Sequence, residues 1–299
     1  MRRGFYACML LALIAPATAG RAQGAGYRLD KIADGVFLAV PTGAARGANI
    51  PVIVTDQDAV LIGSHFPAAA ARTLIEQLKT LTDKPVRFIV NTHYHLSQSV
   101  ARDPYPAGIE VIGHELARRT LLFDARGRPR PANAIGTPPT LGMTTRLSLY
   151  RGDREIRILY IGRGHSDSDI VVLLPKERIL CSGELLVSML PDMADANISD
   201  WVSTLEALKT IDFQTVLPAR GAPFTGKERA SALQSYLRDV LTQTTELLNQ
   251  DVSVADIAKR VDLTSHKKDF PEIQGTGVDI NAVKRLQSQL EEPEPPFAP

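Results

Sequence analysis

Cysteine is scarce in this chain: among 299 residues only Cys8 and Cys181 occur. Cys8 falls in an N-terminal segment expected to be removed, which leaves Cys181 alone and excludes an intrachain disulfide. Stability must then come from the apolar core, for which a hydrophobic fraction of 44% is ordinary. An excess of charge of one sign is also missing, since 34 basic residues face 33 acidic ones. With no basic cluster either, the chain lacks the electrostatic footprint of a nucleic-acid binder or a membrane-surface protein. No apolar run is long enough to span a bilayer permanently. A phosphate-cradling loop, a dinucleotide fingerprint and a nucleophile elbow are absent too.

What is present begins with a secretory signal. Arg2 and Arg3 form a basic start, Ala7 to Pro16 is apolar, and Ala17-Thr18-Ala19 has the small-x-small form that signal peptidase cuts. Residues 1–19 are therefore expected to be cleaved, which places the protein in the periplasm or outside the cell, with no stable membrane insertion. Arg2-Arg3-Gly4-Phe5 carries part of a twin-arginine signal, so the export route stays open between that and the general secretory one. Removing two arginines moves the charge balance slightly to the acidic side.

Short stretches rich in Val, Ile and Leu, separated by Asp-Gly, Gly-rich or Asp-Gln-Asp turns, predict strands over 27–32, 35–40, 50–55 and 59–62. Pro67 suits the first residue of a helix in which Leu74, Leu78 and Leu81 recur at helical spacing. A buried strand is expected over 86–90 and a second helix from near His114. The proline-rich stretch 125–141 has no apolar periodicity and reads as a surface loop. Strands resume at 145–150, 156–161, 170–174 and 179–181, then a helix with Trp201, Leu205 and Leu208, then a strand at 215–217. From Lys227 to Asn249 the apolar residues trace one face of a long helix. Short helices should follow, with a Glu/Pro-rich, disordered tail over 291–299. The order of elements repeats once, there is no short-period repeat, and no linker divides the chain. One domain over 20–290, a layered sandwich of two sheets covered by helices, is the expectation.

Chemistry concentrates in a few residues. His93 and His95 end the buried strand, and alternate residues of extended chain point the same way, so both imidazoles can converge on one cation. His165, in a glycine-rich turn after a later strand, is a third candidate. Three neutral imidazoles around an open position make a catalytic zinc site. His114 and His65 read as structural or loop histidines, Cys181 as a buried strand residue, and the Ser265-x-x-Lys268 match as chance.

At these residues the sequence resembles the metallo-β-lactamase superfamily. Thr92-His-Tyr-His-Leu-Ser-Gln98 is similar to its T-H-x-H-x-D-H, and Gly164-His-Ser-Asp-Ser-Asp-Ile-Val-Val172 to its G-H-T-x-G-D-x-V-V. Cys181-Ser-Gly-Glu-Leu-Leu186 matches the G-D-L-L segment and Leu217-Pro-Ala-Arg-Gly221 the L-P-G-H-G segment, in the family's order and spacing. The resemblance spans nearly the whole mature chain and implies an αββα four-layer sandwich with a metal site at the sheet edge. It further implies His93, His95 and His165 as ligands of a first zinc. The positions of Ser97, Gln98 and Arg220 are normally Asp, His and His and help to hold a second zinc; that of Glu184 is normally an Asp, and that of Gly63 commonly one. The losses fall on one metal site and spare the other.

The resulting expectation is a hydrolase using one zinc per chain, whose bound hydroxide attacks an ester, lactone, thioester or amide in a small-molecule substrate. Glu184 would serve as general base, and Arg220 would pair with it or clamp an anionic group. The alternative is a catalytically silent binding protein on the same fold. Oligomeric state is not legible.

Overall fold

The computed structural model describes residues 26–42, 47–63, 68–95, 107–124, 126–131 and 138–291. The signal segment, Pro67, His65, Ser97, Gln98 and the tail beyond Glu291 lie outside them. In chain order the strands are β1 (Gly26–Ala33), β2 (Val36–Thr42), β3 (Ile50–Val54), β4 (Ala59–Ile62), β5 (Val86–Asn91), β6 (Glu110–His114) and β7 (Leu141–Met143). They continue as β8 (Arg146–Arg151), β9 (Arg154–Tyr160), β10 (Ile170–Leu174), β11 (Ile179–Gly183), β12 (Thr215–Pro218) and β13 (Phe224–Thr225). The helices are α1 (Ala68–Leu78), α2 (Glu115–Leu122), α3 (Ile198–Thr210), α4 (Glu228–Leu248), α5 (Val254–Arg260) and α6 (Ile280–Glu291).

Among the described residues β1 to β7 form one sheet in chain order, and β13-β12-β11-β10-β9-β8 form the other. Each is an antiparallel meander that turns parallel after a helical crossover, β4-α1-β5 in the first sheet and β11-α3-β12 in the second. Strand alternation decides the layering, because successive side chains leave a strand on opposite faces. Val60 and Ile62 join Ile170, Val172, Leu174, Ile179, Cys181 and Leu217 in the cluster between the sheets. Leu61 points the other way, toward Leu74 and Leu78 of α1. Val171, Leu173, Leu180 and Val216 likewise point away from the intersheet cluster, toward Trp201, Leu205, Leu233, Leu237 and Leu286 of the other helices. Two sheets face to face with helices on both outer faces give the αββα sandwich. Each fully buried aliphatic chain in these clusters contributes about 1.5–3 kcal/mol, which lets the fold dispense with disulfides.

Several local expectations shift. Leu81 lies past the end of α1 and is 40% exposed rather than continuing its apolar face. The strands β6, β7 and β13 go beyond the expected set, and β7 starts inside the stretch read as loop. His114 ends β6 and caps α2, so the strand-to-helix switch falls on that residue. Among the described residues no helix is long and apolar enough to cross a membrane.

Candidate metal centre

The parallel crossovers bring strand ends to one edge of the sandwich, the usual place for a site in sheets of this kind. His93 and His95 follow β5, His165 lies between β9 and β10, Glu184 follows β11 and Arg220 follows β12. Backbone bonds tie these ends together. Ile170 N donates to Thr92 O at 2.8 Å, Ala219 N to Gly183 O at 2.9 Å, and Asn49 Nδ2 to Pro218 O and Gly221 O at 3.1 and 2.7 Å. Two glycines are required here. Gly183 adopts φ +59° with Thr92 close against it, and a Cβ on Gly164 would lie 2.3 Å from Leu185 Cδ1.

The three histidines are buried, at 1%, 8% and 1% exposure for His93, His95 and His165. Their ring centroids stand 4.6–4.9 Å apart with planes nearly perpendicular, so the rings converge edge-on rather than stack. One ring nitrogen from each lies within 4.8 Å of the others. For His165 the outer nitrogen settles which one. His165 Nδ1 is 3.0 Å from the Asp192 carbonyl, which can only accept, so Nδ1 carries the proton and Nε2 keeps its lone pair. That Nε2 is buried and has no hydrogen-bond partner. Burial, above all, pushes the His165 pKa down to about 3, with the neighbouring His95 acting the same way, so the ring is neutral. His95 Nε2 lies 3.5 Å from the Asp195 carboxylate, which turns its Nδ1 inward. His93 Nδ1 meets the Thr92 hydroxyl at 3.2 Å, and its Nε2 is 3.3 Å from His95 Nδ1.

The residues fit a metal ion. A buried lone pair without a partner costs roughly 1–3 kcal/mol, and a cation at the centre removes that cost. Two ligands in a tetrahedral shell with bonds of about 2.0–2.1 Å stand about 3.3 Å apart, close to the His93–His95 separation. Neutral imidazoles whose second nitrogens are fixed from behind are the donor set of a borderline divalent ion.

Beside the cluster Glu184 is 3% exposed, and its Oε1 accepts from Arg220 Nε at 2.7 Å. Burial raises the Glu184 pKa, and the Arg220 guanidinium pulls it part of the way back. The structure thus brings together all five residues singled out from the sequence, the imidazoles as one group and the ion pair beside them.

His114 takes no part in the cluster. Its Nδ1 accepts from Leu116 N at 3.2 Å, its Nε2 meets Thr144 O at 2.8 Å, and its ring stacks on Tyr160 at 4.1 Å. Cys181 is fully buried between the sheets, with its thiol pKa pushed up by burial.

Residues that sequence reasoning missed are those behind the ligands. Asp169 closes the turn carrying His165 by accepting from Ser166 N and Ser166 Oγ, both at 2.9 Å. Its place in the G-H-S-x-S-D block was the available signal. Asp192 acts through a main-chain carbonyl, which no side-chain pattern reveals, and Asp195 sits in a loop with no motif.

No family model matches the chain. It is 24% identical over 209 residues to metallo-beta-lactamase type 2 of Bacillus sp. (strain 170), covering 64% of this chain and 76% of that one. It is 28% identical over 187 residues to metallo-beta-lactamase type 2 of Bacillus cereus, covering 60% and 69%. Among solved structures, a metallo-beta-lactamase from Pontibacter korlensis superposes with a TM-score of 0.57 at 23% identity, over 71% of this chain and 99% of that one. The metallo-beta-lactamase FIM-1 from Pseudomonas aeruginosa, in its mono-zinc form, does so with a TM-score of 0.57 at 22% identity, over 71% and 94%. Sandwich, strand-end placement and sequence likeness agree: the chain has the metallo-β-lactamase fold and is similar in sequence to proteins of that name.

Proposed function

We propose that the protein is an exported hydrolase that uses a single zinc ion, held by His93, His95 and His165, to cleave an ester, lactone, thioester or amide in a small molecule. The carrying observation is the trio of buried, converging imidazoles backed by Thr92, Asp195 and the Asp192 carbonyl, with His165 Nε2 buried and without a partner. The similar proteins named metallo-beta-lactamase, one of them in a mono-zinc form, support zinc as the ion and one as a workable count. When bound, zinc supplies Lewis acidity, bringing the pKa of water toward neutrality and drawing charge from a carbonyl oxygen.

The chain's own residues do the rest. Glu184 holds a proton more readily than an ordinary carboxylate because it is buried, which suits a group that accepts a proton from water and returns it to the leaving group. Arg220 orients Glu184 through Nε, and with 38% of its side chain exposed it offers the rest of the guanidinium to an anionic substrate group. Its permanent charge occupies the position where a second metal-binding imidazole is expected. Ser97 and Gln98, by type, are weak neutral donors in place of the other lost ligands. Of the usual ligands of a second divalent ion, only Glu184 is therefore retained.

A silent binding protein is the competing reading, favoured by one observation: Glu184 and Arg220 already satisfy each other. Turnover separates the two. Zinc-loaded protein is assayed against activated esters, thioesters and lactones, beside chelator-stripped protein and His165→Ala. Metal-dependent turnover is expected, and a fully zinc-loaded protein inert across the panel would remove the hydrolase reading.

A further inference from the structure

Asn197 is the N-cap residue of α3, and a cap asparagine normally turns its side-chain oxygen onto the unpaired N–H groups of the first helical turn. Here it makes no such bond. Its Oδ1 instead accepts from Gln289 Nε2 at 3.0 Å and from Arg285 Nη2 at 3.4 Å, both on α6. The same two side chains donate to the Ala196 carbonyl, at 3.0 Å from Gln289 and 3.1 Å from Arg285 Nε. Residues four apart share a helix face, so one face of α6 grips two consecutive residues that lie 88 to 93 positions earlier in the chain. A missing N-cap bond forgoes about 1 kcal/mol of helix stability, and the bonds that Asn197 Oδ1 accepts from α6 stand in its place.

The other side of that turn faces the imidazoles. The Asp192 carbonyl accepts a hydrogen bond from His165 Nδ1, and the Asp195 carboxylate stands behind His95 Nε2. Asn197 N donates to Gly164 O at 2.8 Å, next to His165. Inside the turn, Ala194 N bonds to Asp192 Oδ1 and Ala196 N to Met193 O, so the turn is braced from within. Two of the three rings thus take their aim from residues 192–197, and those residues take their place from α6.

We infer that Arg285 and Gln289 are positioning residues for the metal cluster, acting through the 192–197 turn and touching no ligand themselves. The inference rests on the metal reading above. Losing an outer partner of a metal ligand typically weakens binding about 10- to 100-fold, and a residue one step further back belongs near the lower figure.

Full-length, metal-stripped protein titrated with Co2+ provides the test, because visible absorption reports ligand geometry as well as affinity. The double variant Arg285→Ala/Gln289→Ala should bind Co2+ about 10-fold more weakly, with shifted bands. Arg285→Lys, which keeps one donor for Ala196 O, should recover part of both. Val240→Ala, in the same core cluster but with no hydrogen bond to the turn, should lower the melting temperature and leave the spectrum and affinity unchanged. If the native protein binds Co2+ and the double variant matches it in affinity and spectrum, the positioning role is overturned while the metal reading stands. If Val240→Ala weakens binding as much as the double variant, the effect is general destabilisation and the role is likewise overturned. A native protein that binds no Co2+ overturns the metal reading, and this inference with it.

Discussion

Two neighbouring corners of the same sheet edge deal with charge in opposite ways. At one, three buried imidazoles converge on a common centre, and burial keeps His165 from taking a proton of its own. At the other, the Arg220 guanidinium is already paired with the buried Glu184 carboxylate at 2.7 Å. The first corner is incomplete without a cation; the second carries its own. A guanidinium cannot be lost to a chelator or exchanged, so the second corner is a fixed feature of the chain, whereas a metal held at the first would be exchangeable.

The comparison breaks most visibly at the ligands. His93→Ala or His165→Ala should weaken zinc binding by more than about 100-fold, beyond the usual loss for an outer-shell partner, read by elemental analysis after dialysis. Full zinc occupancy in either variant would mean that the ligand set is wrong. His114→Ala is the contrast. It should keep its zinc while losing roughly 1–3 kcal/mol of stability, since a helix cap goes and the Thr144 carbonyl loses its partner.

Converting the second corner into the first should also be feasible. The triple variant Ser97→Asp, Gln98→His, Arg220→His restores three donors and removes a cation, and its metal content should rise toward two per chain. A triple variant that folds and stays at one ion would show that more than ligand identity excludes the second metal.

A smaller effect is expected from Arg220→Ala alone. It leaves the buried carboxylate without its partner, at a cost of about 1.5 kcal/mol, the low end for charge-assisted bonds because the arginine is partly exposed. It should not recruit a second zinc. The sign of its pH dependence follows from Glu184. Burial sets the folded pKa above the ordinary value, so ionisation costs stability as pH rises through the carboxylate range. Removing Arg220 raises that pKa further, so the deficit of the metal-free variant should grow as pH rises and vanish in acid, where Glu184 is protonated in both proteins. Thermal melts at both pH values check this, and a deficit independent of pH would mean that the two side chains are not coupled.

How far the site could be read from sequence depends on what each part is made of. β10 appeared with its observed bounds because five buried residues, Ile170 to Leu174, have no competing pattern. α4 differed only by its two cap residues, since its apolar stripe runs through about five turns. β6 and β7 escaped because they are short and contain glycine, Gly113 and Gly142, which reads as turn rather than strand. The ligands were legible because imidazoles at the end of a buried strand are chemically conspicuous. Their supports were not, as a carbonyl at Asp192 can come from any residue and Gln289 lies far along the chain. Sequence named the three histidines that the fold brings together, and only the fold disclosed what stands behind them.

The central claim is that this sheet edge holds one metal ion and carries its second positive charge on Arg220. Elemental analysis of the mature protein, purified without chelators and dialysed against metal-free buffer, tests it most directly. The account predicts close to one zinc per chain, lost in His93→Ala. Two tightly held ions per chain, or none at saturating zinc, would contradict it.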